Sequence, residues 1–263
     1  MSIRFDWLLG KMRVRDYTSP APIDTPPTYT PATLVLGAAT VLTAEVGTSY
    51  NLVDFTATFN QNDAGTLSAI KIQKMGVDMT PNGLASPFVK TDSGVLLNGS
   101  IVYQSFANYG AGIIKNYTPS GTPDARTPLI RNVNAPQAAE NNFASNTVSL
   151  NGFYKIFYGP GSVTPSNSVQ VRALPNNVSA NAGNVIILNT GITLLKQSFS
   201  IPVGKTLVIV VDLDAGNFDI TSSFVLSIFN VNDAGAGTPS YKNYSLSLAV
   251  PYSTNHRYQI TLS

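Results

Sequence analysis

The residues of this chain that could do chemistry are few and scattered. The only histidine, His256, lies in STNHRYQ, and the chain has no cysteine. A metal site or a nucleophilic triad needs further ligands or a paired base, and no second histidine or thiolate is present to supply them. We therefore expect His256 to be a structural residue close to a final strand.

A calcium site is the alternative raised by Asp212, Asp214 and Asp219, which lie close together in DLDAGNFD. Calcium loops place oxygen ligands at fixed positions and end with a bidentate glutamate. Here Gly216 occupies the third ligand position and the glutamate is missing. The favoured interpretation is a turn in which Asp side chains accept hydrogen bonds from the backbone.

Catalysis by paired carboxylates has no motif to support it. A glycoside hydrolase needs two carboxylates facing each other across a sugar ring. Asp54, Asp63, Asp78 and Asp124 could be combined into such pairs, but nothing in the sequence selects any two. The sequence also has no GxSxG elbow and no glycine-rich phosphate loop leading into a helix. We predict that the chain is not an enzyme and binds neither a cofactor nor a metal.

Aromatic side chains are the remaining candidates for ligand contact. Those considered are Phe153, Tyr154, Phe157, Tyr158, Tyr241, Tyr244, Tyr252 and Tyr258. They could form a stacking surface for sugars, a protein contact or part of a core. In FYKIFY, however, alternate residues point to opposite faces of a strand, so packing in a core or between domains is the favoured interpretation.

The composition indicates strands rather than helices. Charged residues make up 11% of the 263 residues, against about 25% in ordinary soluble domains. Glutamate occurs only at Glu45 and Glu140, whereas threonine, serine, asparagine and glycine are abundant. The net charge of +2 is too small and dispersed for non-specific nucleic-acid binding. No segment has the roughly 18 apolar residues of a membrane span, so neither nucleic acid nor membrane is an expected partner.

The strand signals predict an all-β fold of tandem antiparallel β-sandwich domains, Ig-like or jelly-roll-like. The first domain is placed at 33–147, with a long irregular segment at 115–146, and the second at 148–263. The run LVIVVDL at 207–213 is apolar without alternation. It predicts a central strand whose outer face meets another domain or subunit.

A seven-residue pattern occurs twice, as FNQNDAG at 59–65 and as FNVNDAG at 229–235. Each copy follows a β-rich run, and Asn-Asp before Ala-Gly suits a hairpin or bulged turn. Two explanations remain open. Either the two domains arose by duplication, or turn chemistry produced the same pattern twice.

The N-terminal region is predicted to be an anchor peptide, 1–16, followed by a proline-rich linker, 17–32. The anchor MSIRFDWLLGKMRVRD could place its apolar side chains on one side of a short helix, which would be marginal in isolation. We expect it to gain order by docking on another protein, although it could also fold back onto its own β-domain. The predicted anchoring residues are Ile3, Phe5, Trp7, Leu8, Leu9 and Met12.

The terminal segment VNDAGAGTPSYKNYSLSLAVPYSTNHRYQITLS, with upstream FYG, VQVRALP, IPVGKTLVIVVDLD and DITSSF, carries a family resemblance. It resembles a C-terminal module of structural proteins from tailed bacteriophages of Bacteroidetes hosts, including crAss-like phages. The stretch KNYTPSGTPDARTPLIRNVNAPQAAE is also similar to phage-encoded proteins. These phrases cover most of 50–263 and include no catalytic residue.

This resemblance implies a virion component such as a head fibre, tail fibre or capsid decoration protein, made in the host cytoplasm and carried on the outer surface of the particle. Its anchor would bind major capsid, portal-vertex or tail proteins, and the chain would form a homo-oligomer, either dimer or trimer. The alternative is a receptor- or glycan-binding module at a fibre tip, which would contact a host surface glycan through exposed aromatics and the loops 81–94 or 230–240. A capsule depolymerase ranks last.

Overall fold

The computed structural model describes most of the chain. It describes the backbone and side chains of residues 28–39, 42–114 and 138–263. For residues 2–6, 11–15, 116–117 and 131–132 it describes only the pairing of the backbone strands. Among the fully described residues, 55% lie in strands and 4% in helix, against about 20–25% strand in typical soluble proteins. The predicted all-β class is confirmed.

The strands fall into two successive groups along the chain. The first group is β1 (Ser2–Asp6), β2 (Lys11–Arg15), β3 (Thr33–Ala38), β4 (Thr43–Glu45), β5 (Ser49–Asn60), β6 (Leu67–Lys74), β7 (Val77–Asp78), β8 (Phe88–Leu96), β9 (Ser100–Tyr109), β10 (Asn116–Tyr117), β11 (Arg131–Asn132) and β12 (Glu140–Phe153). The second group is β13 (Lys155–Gly161), helix α1 (Ser168–Arg172), β14 (Asn176–Ser179), β15 (Val185–Asn189), β16 (Lys196–Pro202), β17 (Leu207–Asp212), β18 (Phe218–Asp219), the 3-10 helix Thr221–Ser223, β19 (Val225–Asn230), β20 (Ser240–Ser247) and β21 (Arg257–Leu262).

Two sheets enclose the first hydrophobic core. Their strand orders are β3-β5-β8 and β4-β12-β9-β6-β7, and the neighbours pair antiparallel except for β4, which is parallel to β12. Phe55 from the first sheet and Tyr103 from the second are both fully buried, with ring centroids 4.0 Å apart. Both sheets thus supply side chains to one core, as in a β-sandwich.

A second pair of sheets encloses a second core. The strand orders are β14-β13-β16-β20-β19 and β15-β21-β17-β18, with every pair antiparallel. Phe199 of β16 and Tyr258 of β21 are fully buried and come from opposite sheets, and both belong to the same cluster. The buried residues of this cluster all lie between Ile156 and Leu262 in the sequence, so the second core is built from the second group of strands.

Strand β16 is buried on both faces. Beside it, the connection from β13 to β14 contacts β20, where the Asn243 side chain donates to the Pro165 carbonyl. That connection contains helix α1, where the Asn167 side chain caps the N-terminus by accepting from the Gln170 N–H. Val171 of α1 is fully buried in a small third cluster with Phe157 and Tyr241. The helix is therefore fixed on the sheet, and so is Arg172 at its last position.

Strand β12 runs through the position where the sequence placed a domain boundary. Its pairing with β9 begins at Glu140, so the predicted irregular segment ends before residue 140 and not at 146. Val148 and Leu150 belong to the first core, while Ile156 belongs to the second. The change of core therefore falls after Leu150, inside the predicted second domain, because β12 extends the first core beyond residue 147.

The expected helix within the anchor peptide is wrong. Strands β1 and β2 pair antiparallel, with Ile3 opposite Val14 and Phe5 opposite Met12. The physical reason is visible in IRFD and MRVR, where apolar and polar residues alternate with the period of a strand.

The predicted anchoring contacts lie outside the described residues. This holds for the whole of Trp7, Leu8 and Leu9, and for the side chains of Ile3, Phe5 and Met12.

The last residues of the predicted linker belong to the first core. Ala32 is buried, and the backbone N–H of Thr30 donates to the Asp63 carboxylate at 2.7 Å. The Asn62 side chain donates to the Pro31 carbonyl at 2.7 Å. The turn at 61–64 therefore holds residues 30–32 against the first core.

The repeated FNxNDAG pattern occupies two different topological positions. The first copy ends β5 and leads to β6 in the facing sheet, and Asn62 there has a positive φ of 47°. The second copy ends β19 and leads to β20, its neighbour in the same sheet. This difference favours shared turn chemistry over duplication as the origin of the pattern.

The apolar run at 207–213 does form an inner strand, β17, between β21 and β18. Val210 is fully buried, whereas Ile209 and Val211, whose side chains point to the opposite face, are half-buried. The cover expected on that face from another domain or subunit stays a prediction.

Candidate functional site at the junction between the two cores

A buried glutamate joins the two cores. Glu45 ends β4 in the first group of strands, and its side chain is 9% exposed. Its carboxylate accepts from Arg172 through Nη1 at 2.7 Å and Nη2 at 3.3 Å, and Lys155 Nζ lies 3.2 Å from Oε2. Both cations belong to the second group of strands. The buried charge is thus paired twice, as burial of a carboxylate requires.

Arg172 is held in the geometry that this pairing needs. Its guanidinium lies 5.3 Å from the centroid of the Phe157 ring, and Nη1 also donates to the Asn232 carbonyl at 2.7 Å. Phe157 is itself buried beneath α1. A planar guanidinium can meet a carboxylate with two parallel hydrogen bonds while stacking on an aromatic ring.

A backbone contact adds to the ion pairs. The Ala234 N–H donates to the Val46 carbonyl at 3.0 Å, so the turn after Glu45 meets the second NDAG turn. Gly47 has a φ of +90°, and a Cβ there would collide with Asp233 and Gly235. Only glycine gives both the backbone conformation and the space that this contact requires.

Burial and neighbouring charges shift the pKa values of several side chains at the junction. Burial alone would raise the pKa of Glu45, but the hydrogen bonds and positive charges of Arg172 and Lys155 outweigh it and hold this pKa below its ordinary value of 4.5. The hydrogen bond to Glu45 raises the pKa of Arg172. Burial raises the pKa of Tyr241, whose hydroxyl donates to the Lys155 carbonyl at 2.8 Å. These shifts hold the Glu45 carboxylate and the Arg172 guanidinium in their charged forms at neutral pH.

Beside this junction lies a cavity of about 410 Å³. Its apolar wall includes Val46 and Phe153 from the first group of strands and Pro202 from the second. Tyr154, the residue between β12 and β13, also lines it. The cavity thus exists because the two cores meet here, and residues from both must be folded to form it.

The polar side chains of the cavity include two carboxamides, Asn98 and Asn181, both exposed. Among the described residues, neither side chain takes part in a hydrogen bond. Lys205 supplies one cation, and its Nζ lies 3.2 Å from the Asn184 side-chain oxygen. Ser240 donates its hydroxyl hydrogen to Asn230. No carboxylate is among the described lining residues.

The residues first considered for chemistry lie elsewhere and have structural partners. His256 stacks on Tyr252 with ring centroids 3.8 Å apart and lies just before β21, which agrees with the structural role predicted for it. Its Nδ1 is 3.4 Å from the Asp212 carboxylate. The Asp212 carboxylate accepts from the Asp214 and Ala215 N–H groups at 3.1 Å, which is the turn that the sequence predicts.

The other two carboxylates of that acidic segment also have local partners. Asp214 pairs with Arg257 at 2.6 Å, and Asp219 accepts from the Thr221 N–H at 2.8 Å. Across 28–39, 42–114 and 138–263, no group of three or more His, Asp or Glu side chains is placed to hold a metal ion.

The carboxylates considered for sugar hydrolysis fall at separate places in the first group of strands. Asp54 accepts from the Thr91 hydroxyl at 2.6 Å on the outside of β5, and Asp78 accepts from Gln73 at 2.7 Å at the end of β7. Asp63 holds Thr30, as described above. Asp124 lies outside the described residues. Asp54, Asp63 and Asp78 do not line the cavity beside the junction.

The aromatic residues divide between core and cavity. Phe157, Tyr241 and Tyr258 are buried. Phe153 and Tyr154 are half-buried and line the cavity. Packing is thus confirmed for the first three, while two rings remain open to a ligand.

Of the two loops considered for binding, only one reaches the junction. The segment 230–240 supplies Pro239 and Ser240 to the cavity and the Asp233 turn to the inter-core contact. The segment 81–94 contributes no lining residue, and its second half forms most of β8.

The pairing of Glu45 with Arg172 could not be predicted from the sequence. The two residues are separated by 127 positions, and neither belongs to a local motif. One signal was present, because Glu45 is one of only two glutamates and follows a β-rich run.

Comparison with known proteins adds no assignment. No protein-family model, curated protein or solved structure matches this chain. Within the described residues, no helix has the length and apolar character needed to cross a membrane.

Proposed function

We propose that this chain is a structural protein of a bacteriophage virion, a fibre or decoration component on the outer surface of the particle. The observation that carries the proposal is the interlock between two successive β-cores, formed by Glu45 with Arg172 and by Gly47 against the Asp233 turn. Such an interlock suits a component that projects from a surface and must resist bending. The sequence resemblance described above supports the same role.

The residues at 1–16 attach this component to a capsid, portal-vertex or tail protein. Ile3, Phe5, Trp7, Leu8, Leu9 and Met12 provide the apolar contact. Aromatic and aliphatic side chains of this kind dominate the binding energy of protein interfaces. The prolines that follow, at positions 20, 22, 26 and 27, favour an extended spacer.

Deletion of residues 1–16 tests attachment. The shortened protein should keep its β-sheet circular dichroism spectrum and its unfolding midpoint but should no longer co-purify with assembled particles. As a matched control, residues 17–27 are replaced by an equally long Gly-Ser segment, which keeps the anchor and should keep incorporation. Incorporation of the deletion variant at the wild-type level would refute anchoring by this segment.

Self-association belongs to the same proposal. Strand β19 is the outer strand of its sheet, and Val225, Leu226 and Ile228 on it are 72%, 49% and 62% exposed. An edge strand with free backbone groups and apolar side chains is a template for pairing with another chain. A second copy pairing antiparallel along β19 would form a closed two-fold dimer.

A further inference from the structure

We propose that the junction cavity is a binding site for a short saccharide of one or two sugar rings. The inference does not depend on the virion role, since it rests on the cavity alone. A glycan contact was expected at exposed loops, whereas this site lies between the two cores. The Asn98 and Asn181 amides would bind the sugar hydroxyls, and the Phe153 or Tyr154 ring would contact its C–H face.

The size of the cavity fits such a ligand. Small-molecule sites commonly have volumes of about 300–1,000 Å³, and the volume of about 410 Å³ lies in the lower part of this range. The cavity is also held open by the fold, because the ion pairs of Glu45 fix its two walls relative to each other. A preformed site binds a ligand without the entropic cost of ordering its own walls.

The polar groups match hydroxyls. A carboxamide has two N–H donors and a carbonyl acceptor, and a hydroxyl likewise donates and accepts. Asn98 comes from the turn before β9 and Asn181 from the segment before β15, so the amides approach from the two different cores. Because neither amide has a partner among the described residues, binding to a sugar breaks no hydrogen bond within this part of the protein.

The apolar wall matches the other side of a sugar ring. Pyranose rings carry C–H groups on their faces, and aromatic side chains with one accessible face provide a flat apolar contact. Phe153 and Tyr154 are half-buried, which leaves part of each side chain accessible. A purely apolar ligand would leave the two amides without partners, which disfavours it.

The charge of the site predicts a preference among sugars. Lys205 is the one charged side chain among the described lining residues. Glu45, next to the lining residue Val46, is already paired with Arg172 and Lys155. A sugar with a carboxylate should therefore bind about two- to five-fold more tightly than its neutral counterpart, as expected for a solvent-exposed ion pair.

The test is an NMR titration of the full chain with methyl glycosides of glucose, galactose, mannose, N-acetylglucosamine and glucuronic acid. At least one glycoside should shift the amide signals of Asn98 and Asn181, with a dissociation constant on the order of 1 mM. Methyl glucuronide should bind more tightly than methyl glucoside, and Lys205→Met should remove that difference. Absence of shifts with the whole set, or shifts only outside the cavity, would overturn the proposal.

Three further variants and one control separate binding from folding. Asn98→Ala and Asn181→Ala should each weaken binding about three- to ten-fold through loss of a hydrogen bond. The matched control is Asn255→Ala, because Asn255 is exposed and does not line the cavity. Gly204→Phe adds a ring at a lining position where a Cβ meets no atom within 4 Å, so the fold should tolerate it while the cavity is obstructed. Wild-type binding by all three cavity variants would refute the site.

Discussion

Glu45 shows how a single buried charge can hold two cores together. Burying a carboxylate is costly, and the attraction to a cation repays that cost only when the geometry is good and the remaining oxygen lone pairs are satisfied. Arg172 and Lys155 meet both oxygens of Glu45, and Arg172 is fixed in turn by Phe157 and by the Asn232 carbonyl. The pairing therefore specifies how the two cores are joined, and removal of either cation leaves the buried Glu45 carboxylate with less compensation.

Replacing Glu45 by glutamine should lower the free energy of unfolding by about 1–3 kcal/mol, since the charge-assisted hydrogen bonds are lost and two cations remain. Glu140→Gln is the matched control, because it makes the same change at an exposed residue, and the glutamine oxygen can still accept the Tyr109 hydroxyl hydrogen bond that Glu140 accepts at 2.8 Å. It should cost less than about 0.5 kcal/mol. Urea denaturation of the three proteins at pH 7 measures the difference. Equal destabilisation by the two substitutions would show that the junction contributes nothing specific.

The same substitution should change how stability depends on pH. The pKa of Glu45 is below 4.5 in the folded protein, so the unfolded chain binds the proton first as the pH falls. The stabilisation from Glu45 is then fully present above about pH 5 and is lost as the pH falls through the folded-state pKa. The stability gap between wild type and Glu45→Gln should therefore narrow between pH 5 and pH 3. A gap that stays constant in urea titrations across this range would contradict the assigned pKa shift.

At the scale of elements, the turn after β4 and the second NDAG turn fit together through their backbones. Gly47 has the positive φ that the turn needs, and the segment 233–235 fills the space where a side chain would stand. The two requirements can be separated experimentally, because Gly76 has a similar φ of +82° but no atom within 4 Å of its Cβ position.

Gly47→Ala should destabilise the protein more than Gly76→Ala does. Both substitutions impose the backbone strain of an L-residue at positive φ. Only the first also drives a methyl group into the facing turn, a clash that costs about 1–3 kcal/mol when packing cannot relax. Denaturant midpoints of the two variants measure the difference. If the midpoints coincide, the close approach of the two turns does not stabilise the junction.

Elements with a strict period could be predicted from the sequence, whereas contacts between distant elements could not. Within β5, Val53, Phe55 and Ala57 are buried and the residues between them are exposed, as SYNLVDFTATF predicts. The helix expected in the anchor was wrong because the apolar and polar residues of IRFD alternate with a period of two, which is the period of a strand. The pairing of Glu45 with Arg172 had no local pattern, since it depends on how β4 and α1 meet in three dimensions.

At the scale of the whole molecule, the sequence predicted two successive β-units, and the hydrophobic cores follow one another along the chain. The boundary was predicted at 147 because the irregular segment was expected to extend to 146. In fact Val148 and Leu150 complete the first core. The cavity between the cores could not be predicted, because Asn98, Tyr154, Asn181 and Lys205 come together only after both cores have folded.

Assembly of several molecules depends on the edges that one molecule presents. Most outer strands are short or polar, as in β7 with two residues and β14 with the sequence NNVS. The outer strands β3, β15 and β19 have neither a charge nor a proline, the features that commonly protect an edge. Among them, β19 (VLSIFN) has the largest number of exposed large apolar side chains, Val225, Leu226 and Ile228. If the chain forms the proposed dimer, this strand is the expected contact.

The double substitution Val225→Lys with Ile228→Lys should therefore convert a dimer into a monomer. Two lysines on the edge add like charges on both copies, which repel each other across the pairing. Stability of the single molecule should change little, because both residues are exposed. The matched control is Val163→Lys with Val169→Lys, which adds the same charge at exposed residues outside any strand. Sedimentation velocity should show dimers for wild type and control and monomers for the edge variant. A wild-type protein that is monomeric at high concentration, or an edge variant that still forms dimers, would exclude pairing along β19.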